Sequence, residues 1–142
     1  MTYAEAVDRM IRGMQADLQD YTSLHELLEW QFRAALDHQS NTIAEIAQSI
    51  LKLTAVLDIR RRERQKLATL LVSGKSPAVS IKAVAAQLPG GWRPAFDVAW
   101  SRLEQLVREC KHLNSRNCRL MMGQYEAMQR VLQADLNTYA PA

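Results

Sequence analysis

The sequence predicts an all-α protein, an elongated antiparallel helical bundle or coiled coil of three long helices plus one short one. Apolar residues recur at spacings of three and four over stretches of about thirty residues or more, as a helix with one buried face requires. Five Gly and four Pro are few, and most of them gather around Gly74–Pro77 and Pro89–Pro94. Strand-like alternation of β-branched residues appears nowhere. At 142 residues and 48% hydrophobic, the chain reads as a single domain, 1–142, large enough to bury a core.

In order along the chain, Thr2 with Glu5 makes a capping box that opens a helix over about 2–38. Its seam is Val7, Ile11, Met14, Leu18, Tyr21, His25, Leu28, Phe32 and Ala35, with His25 expected as a packed, neutral core histidine. This helix is acidic, seven Asp and Glu against three Arg. His38-Gln39-Ser40-Asn41 has the polar character of a turn, and Thr42 with Glu45 offers a second capping box. The second helix, about 42–73, starts on Ile43, Ile46, Ile50, Leu53 and Leu57. The same register then brings Arg60 and Arg64 onto the seam before Leu67 and Leu71 restore it. Gly74 suits the position beyond its end. Ser76-Pro77 begins a short helix, about 77–88, whose face is Ile81, Val84, Ala85 and Leu88.

The last helix, about 92–136, is expected to be the spine. Phe96, Leu103, Cys110, Asn117, Gln124 and Val131 fall at one seam position, and Ala99, Leu106, Leu113, Leu120 and Ala127 at the other. Pro94 lies in the first turn, where its missing N–H is harmless. At 1.5 Å per residue the helix is about 65–70 Å long, too long for a compact globule. A seam amide such as Asn117 suggests a polar residue kept for register at a cost in stability, so Asn117→Leu is expected to raise the melting temperature. Asn137-Thr138 and Pro141 predict a turn and a C-terminal tail, 137–142, that carries Tyr139.

Most chemical motifs fail on inspection. Glu109-x-x-His112 has the spacing of di-iron bundles but lacks a second copy. Gly74-Lys75-Ser76 lacks the earlier glycine and the strand of a phosphate-binding loop. Cys110 and Cys118 are about 12 Å apart on one helix, beyond disulfide reach. No catalytic constellation, metal site or cofactor site is expected, and so no enzyme. No apolar run approaches the ~20 residues of a membrane span, and no signal peptide is visible, so a cytoplasmic protein without membrane insertion is expected. The basic run Arg60–Lys66 lacks the interleaved aromatics of a nucleic-acid surface; charge pairing, with the acidic first helix or with a partner, accounts for it better.

The segment Leu106 to Asn117, followed by Leu120-Met121, resembles the signature helix of FlgN-type flagellar export chaperones, which carry Leu-Asn-x-x-Asn-Gly and then an aliphatic pair. Leu113, Asn114 and Asn117 are the matching residues, and Cys118 stands where the family has glycine. Leu53 to Leu67 resembles the family's second helix, and Tyr139 matches a tyrosine the family places after its last long helix. The resemblance implies a chaperone of type III protein export in flagellum biogenesis. It implies binding of the C-terminal helices of hook–filament junction (hook-associated) proteins, prevention of their premature assembly, and delivery to the export gate. Its implied partners are those proteins, the export-gate cytoplasmic domain, with Tyr139 as docking residue, and export ATPase-associated components.

The residues themselves agree with a protein-binding role. Met121, Met122, Met128, Val131 and Leu132 are more apolar surface than one helix stripe needs, and methionine suits an adaptable client-binding surface. The plainer reading of these five residues is that they are core; the alternative functions are a structural coiled-coil adaptor or scaffold subunit without a client-delivery cycle, and a basic helical nucleic-acid binder.

Overall fold

The computed structural model describes residues 1–72, 84–86 and 88–139, with side chains to residue 134. Three long helices account for most of it: α1, Tyr3–Leu36; α2, Ser40–Leu71; and α3, Arg93–Tyr139. Residues 84–86 are also helical, within the span where the short helix was expected. Gly74 and Ser76-Pro77 lie outside the described residues.

The Thr2 capping box forms as predicted. Glu5 N–H donates to Thr2 Oγ1 at 3.2 Å, and Thr2 N–H donates to Glu5 Oε2 at 3.1 Å. The far end of α1 closes on a different device. Gln39 N–H reaches Ala34 O and His38 N–H reaches Ala35 O, the paired bonds of a Schellman motif. His38 holds the left-handed position at φ 54°, a place that usually goes to glycine. The turn is therefore tighter than expected, and α2 starts at Ser40 behind Gln39, which makes no side-chain cap. The Thr42–Glu45 capping box is not used, because the Schellman turn has already committed Ser40 and Asn41 to the helix.

The chain runs up, down and up. Ala68 and Leu71 at the end of α2 share a core with Ala6, Val7, Met10 and Met14 at the start of α1; Val84, Leu88, Phe96 and Leu103 complete it. A second, smaller core joins Leu24, Leu28, Leu57, Cys110 and Leu113. Consecutive long helices are thus antiparallel, which leaves α1 and α3 parallel. Tyr3 and Trp92, with ring centroids 6.2 Å apart, sit together where α1 and α3 begin.

The organising element differs from the expected one. Both α2 and α3 pack along α1, while no Cα of α2 comes within 8 Å of a Cα of α3 among the described residues. Helix α1 therefore serves two neighbours, and its buried set is wider than one heptad seam, taking in Ala6, Met10, Asp17, Leu24, Gln31 and Ala34 besides seam residues. The long C-terminal helix is one wall of the bundle. It is also longer than predicted: Asn137 and Thr138 continue the helix to Tyr139, so the expected tail 137–142 is helical over its first three residues.

Candidate functional site

Side chains one heptad apart on α3 reach the main chain of α1 at a constant offset. Cys110 Sγ donates to Tyr21 O at 3.6 Å, Asn117 Nδ2 to Leu28 O at 2.7 Å, and Gln124 Nε2 to Ala35 O at 2.8 Å. Each pair is 89 residues apart. This alignment places Leu36, the last residue of α1, level with residue 125 of α3. The rest of α3 projects past the α1–α2 turn as an overhang of about 20 Å, beyond the reach of α1.

The overhang accounts for Met128, Val131 and Leu132, while Met121 and Met122 lie just before it, level with Phe32 and Arg33 of α1. Among residues 118–134 none is buried, and Met122, Met128, Val131 and Leu132 are each more than half exposed. Met121 is half-buried at the base. Tyr125, 63% exposed, was not singled out in the sequence, although Met121, Tyr125, Met128 and Leu132 follow one another at spacings of four, three and four. Val131, placed on the seam by the heptad, has no α1 residue left to meet. The helical backbone carries Tyr139 at the end of the overhang, and its side chain lies outside the described residues.

The three residues of the Leu-Asn-x-x-Asn motif part company. Leu113 is buried in the second core, and Asn114 is exposed on the rim of a groove. Asn117 is fully buried. Besides Leu28 O, its amide donates to Gln31 Oε1 at 2.9 Å, and its own Oδ1 accepts from Arg116 Nε at 3.2 Å. Leucine would strand these specific partners, so the structure argues for a loss of stability from Asn117→Leu in place of the expected gain. Arg116 is itself fixed, 3.7 Å above the Phe32 ring and 3.2 Å from Glu29.

The groove lies between α2 and α3 with α1 as its floor. One part, about 380 Å³, is lined by Tyr21, Leu24 and Leu28 of α1, Ile50, Leu51 and Thr54 of α2, and α3 from Val107 to Asn114. A second part, about 260 Å³, shares Tyr21, Val107 and Lys111 and extends to Arg64 and Trp100. Arg64 lies 5.8 Å from the centre of the Trp100 ring.

The basic run pairs with α1, as its charge suggested. Arg60 Nη1 lies 2.8 Å from Asp17 Oδ1, Arg64 Nη1 lies 2.5 Å from Asp17 Oδ2, and Arg60 also holds Asp20. The Asp17 side chain is only 2% exposed. Burial alone would lower the Arg60 pKa, but hydrogen bonds to Asp20 and Asp17 outweigh it and the net shift is upward. Arg61 and Arg62 pair with Asp58 on the surface of their own helix.

Two chemical candidates resolve into structural roles. His25 is not packed in the core: it is half-buried, with Nε2 3.4 Å from Glu109 Oε2, because the side of α1 that carries it faces the edge of α3. Glu109 also accepts from Gln105, so its carboxylate belongs to a network with His25 and Gln105 at the edge of the helix contact. Burial, with a smaller push from Glu109, raises the Cys110 thiol to about 11, which suits a seam hydrophobe and not a nucleophile. Among the described residues, no group of three His, Cys, Asp or Glu could hold a metal ion, and no helix is long and apolar enough to cross a membrane.

The fold and the site define an all-α three-helix bundle with a hydrogen-bonded polar seam, an open groove and an exposed apolar overhang. The chain matches the family model described as FlgN protein over residues 1–135, and it belongs to that family. The family is one of flagellar export chaperones, not of enzymes. No curated protein and no solved structure matches the chain.

Proposed function

We propose that this protein binds the C-terminal helices of hook–filament junction proteins, keeps them from assembling early, and delivers them to the type III export gate in the cytoplasm. The observation that carries the reading is the overhang. A single helix with exposed Met128, Val131 and Leu132, approached by exposed Met122 and Tyr125 beside the end of α1, is an unfinished coiled coil, and a partner's amphipathic helix completes it with apolar anchors at helical spacing. Methionines let that surface repack around more than one client.

Tyr139, the last described residue of the overhang, is the proposed contact to the cytoplasmic domain of the export gate, where an aromatic ring with a hydroxyl can fill a partner pocket. Replacing Met128 and Leu132 with glutamate should abolish binding of a junction-protein C-terminal peptide and leave the helical circular dichroism intact. Binding that persists places the client elsewhere. Tyr139→Ala should change stability by less than about 0.5 kcal/mol, as surface substitutions do. It should also spare client binding while removing gate binding and secretion.

A further inference from the structure

The overhang and the groove lie on one line of α3. Trp100, Glu104, Val107, Lys111 and Asn114 line the groove on its α3 side. From Asn114 the same alternation of four and three runs through Cys118 to Met121, Tyr125, Met128 and Leu132. On a straight helix such a line would drift by about 20° per heptad. Here Cys110, Asn117 and Gln124 each meet α1 at the same 89-residue offset, so α3 keeps its heptad in step with α1 and the line stays on one side of the bundle. The line spans about 48 Å from Trp100 to Leu132 at 1.5 Å per residue.

The two halves of the line differ in chemistry. The overhang half is apolar. The groove half has an apolar floor of Tyr21, Leu24 and Leu28, and a rim where Arg64, Arg108 and Lys111 outnumber Glu104. Arg64 is committed to Asp17 and Arg108 to Glu104, while Lys111 has no ion-pair partner among the described residues. Trp100 lines that part of the groove, with its indole Nε1 buried behind the ring face.

We propose that one continuous amphipathic helix of the client occupies the whole line. Its apolar stripe would enter the groove as a fourth member of the bundle and continue along the overhang, with a carboxylate over Lys111. The proposal rests on the client reading above and extends it from the overhang into the bundle. A separate helix for each half is the arrangement it rejects.

The test uses the full chain with a photoreactive amino acid at Thr54, on the α2 wall of the groove, or at Met128, on the overhang. The probe is a synthetic peptide of a junction protein's C-terminal helix. Thr54 shares its groove with Lys111, and Lys111 is 17 residues from Met128 along α3. Both sites should therefore capture the peptide, at positions about 17 residues apart, since two packed helices rise equally. Capture from Met128 alone overturns this proposal and leaves the client reading standing; no binding by either form overturns both. Lys111→Glu should weaken peptide binding about fivefold at low salt and less at high salt, as a rim charge does, without changing the melting temperature. Exchanging the peptide's carboxylates for lysines should restore it. Affinity indifferent to both changes removes the groove from the binding surface.

Discussion

Asn117 Nδ2 donates to the main-chain oxygen of Leu28 at 2.7 Å, from a side chain with no exposed surface. The same nitrogen donates its second hydrogen to Gln31 Oε1. A seam asparagine can be a tolerated misfit, but here both of its donors and its acceptor have partners.

Asn117→Leu should therefore lower stability by about 2 kcal/mol, since it strands the Gln31 carbonyl oxygen and forces a larger side chain into a filled seam. Urea unfolding followed by circular dichroism measures this. The double change Asn117→Leu with Gln31→Leu should recover part of the loss, because replacing both members of a buried polar pair is milder than removing one. A more stable single variant would mean the amide bonds contribute nothing.

Asp17 is the buried anion between two arginines. Asp17→Ala leaves Arg60 and Arg64 facing each other and should cost about 3 kcal/mol, the scale for breaking a buried ion pair, moderated because both guanidinium groups reach solvent. Arg61→Ala, which removes a surface pair, should cost less than about 0.5 kcal/mol. Equal losses in a denaturant series would show that burial of Asp17 does not matter.

His38→Gly should stabilise the protein by about 0.5–1 kcal/mol. Glycine carries no penalty in the left-handed position, although it loses more backbone entropy on folding. The same substitution at Gln39, outside that region of φ, should not stabilise. Thermal unfolding of the two variants separates the readings.

The two thiols should differ in reactivity. Cys118 is exposed and Cys110 buried, so at pH 8 a thiol reagent should label one cysteine quickly and the second only as the bundle opens. The Cys110 pKa is raised on folding, from 9.0 to about 11, so its contribution is intact below pH 9 and is lost as pH rises from about 9 to about 11, where the unfolded chain ionises first. Cys110→Ala should flatten that part of the stability profile. A profile unchanged by the substitution would assign the alkaline loss to other groups.

Much of the fold was legible because heptad periodicity is local. The three long helices, the turn near His38, and the buried seam residues Val7, Met14, Leu57, Leu103 and Leu113 all follow from spacing alone. What failed depends on how helices align. Nothing in the α1 sequence marks it as the shared helix, because a seam reads the same whether it meets one neighbour or two. Asp17 resembles any surface acid until Arg60 and Arg64 are placed over it. His25 fits an apolar heptad yet lies at the edge of the contact. The methionine surplus was visible, whereas Tyr125 was missed because polar neighbours hide its place in the stripe. The overhang itself emerges only when α3 is laid against α1 and proves to outlast it.

The three ladder bonds read the α1 backbone, and a backbone repeats itself. If α3 slid by one heptad, Asn117 would find the carbonyl of Tyr21 and Gln124 that of Leu28, at the same price in geometry. The ladder thus fixes phase but cannot count. Counting falls to features that occur once: the Asn117–Gln31 amide pair, and Phe96 in the core with Val7 and Val84. A chain weakened at both would be expected to settle into the neighbouring frame that keeps a full set of ladder bonds, with an overhang seven residues shorter; a slide the other way leaves Gln124 beyond the end of α1.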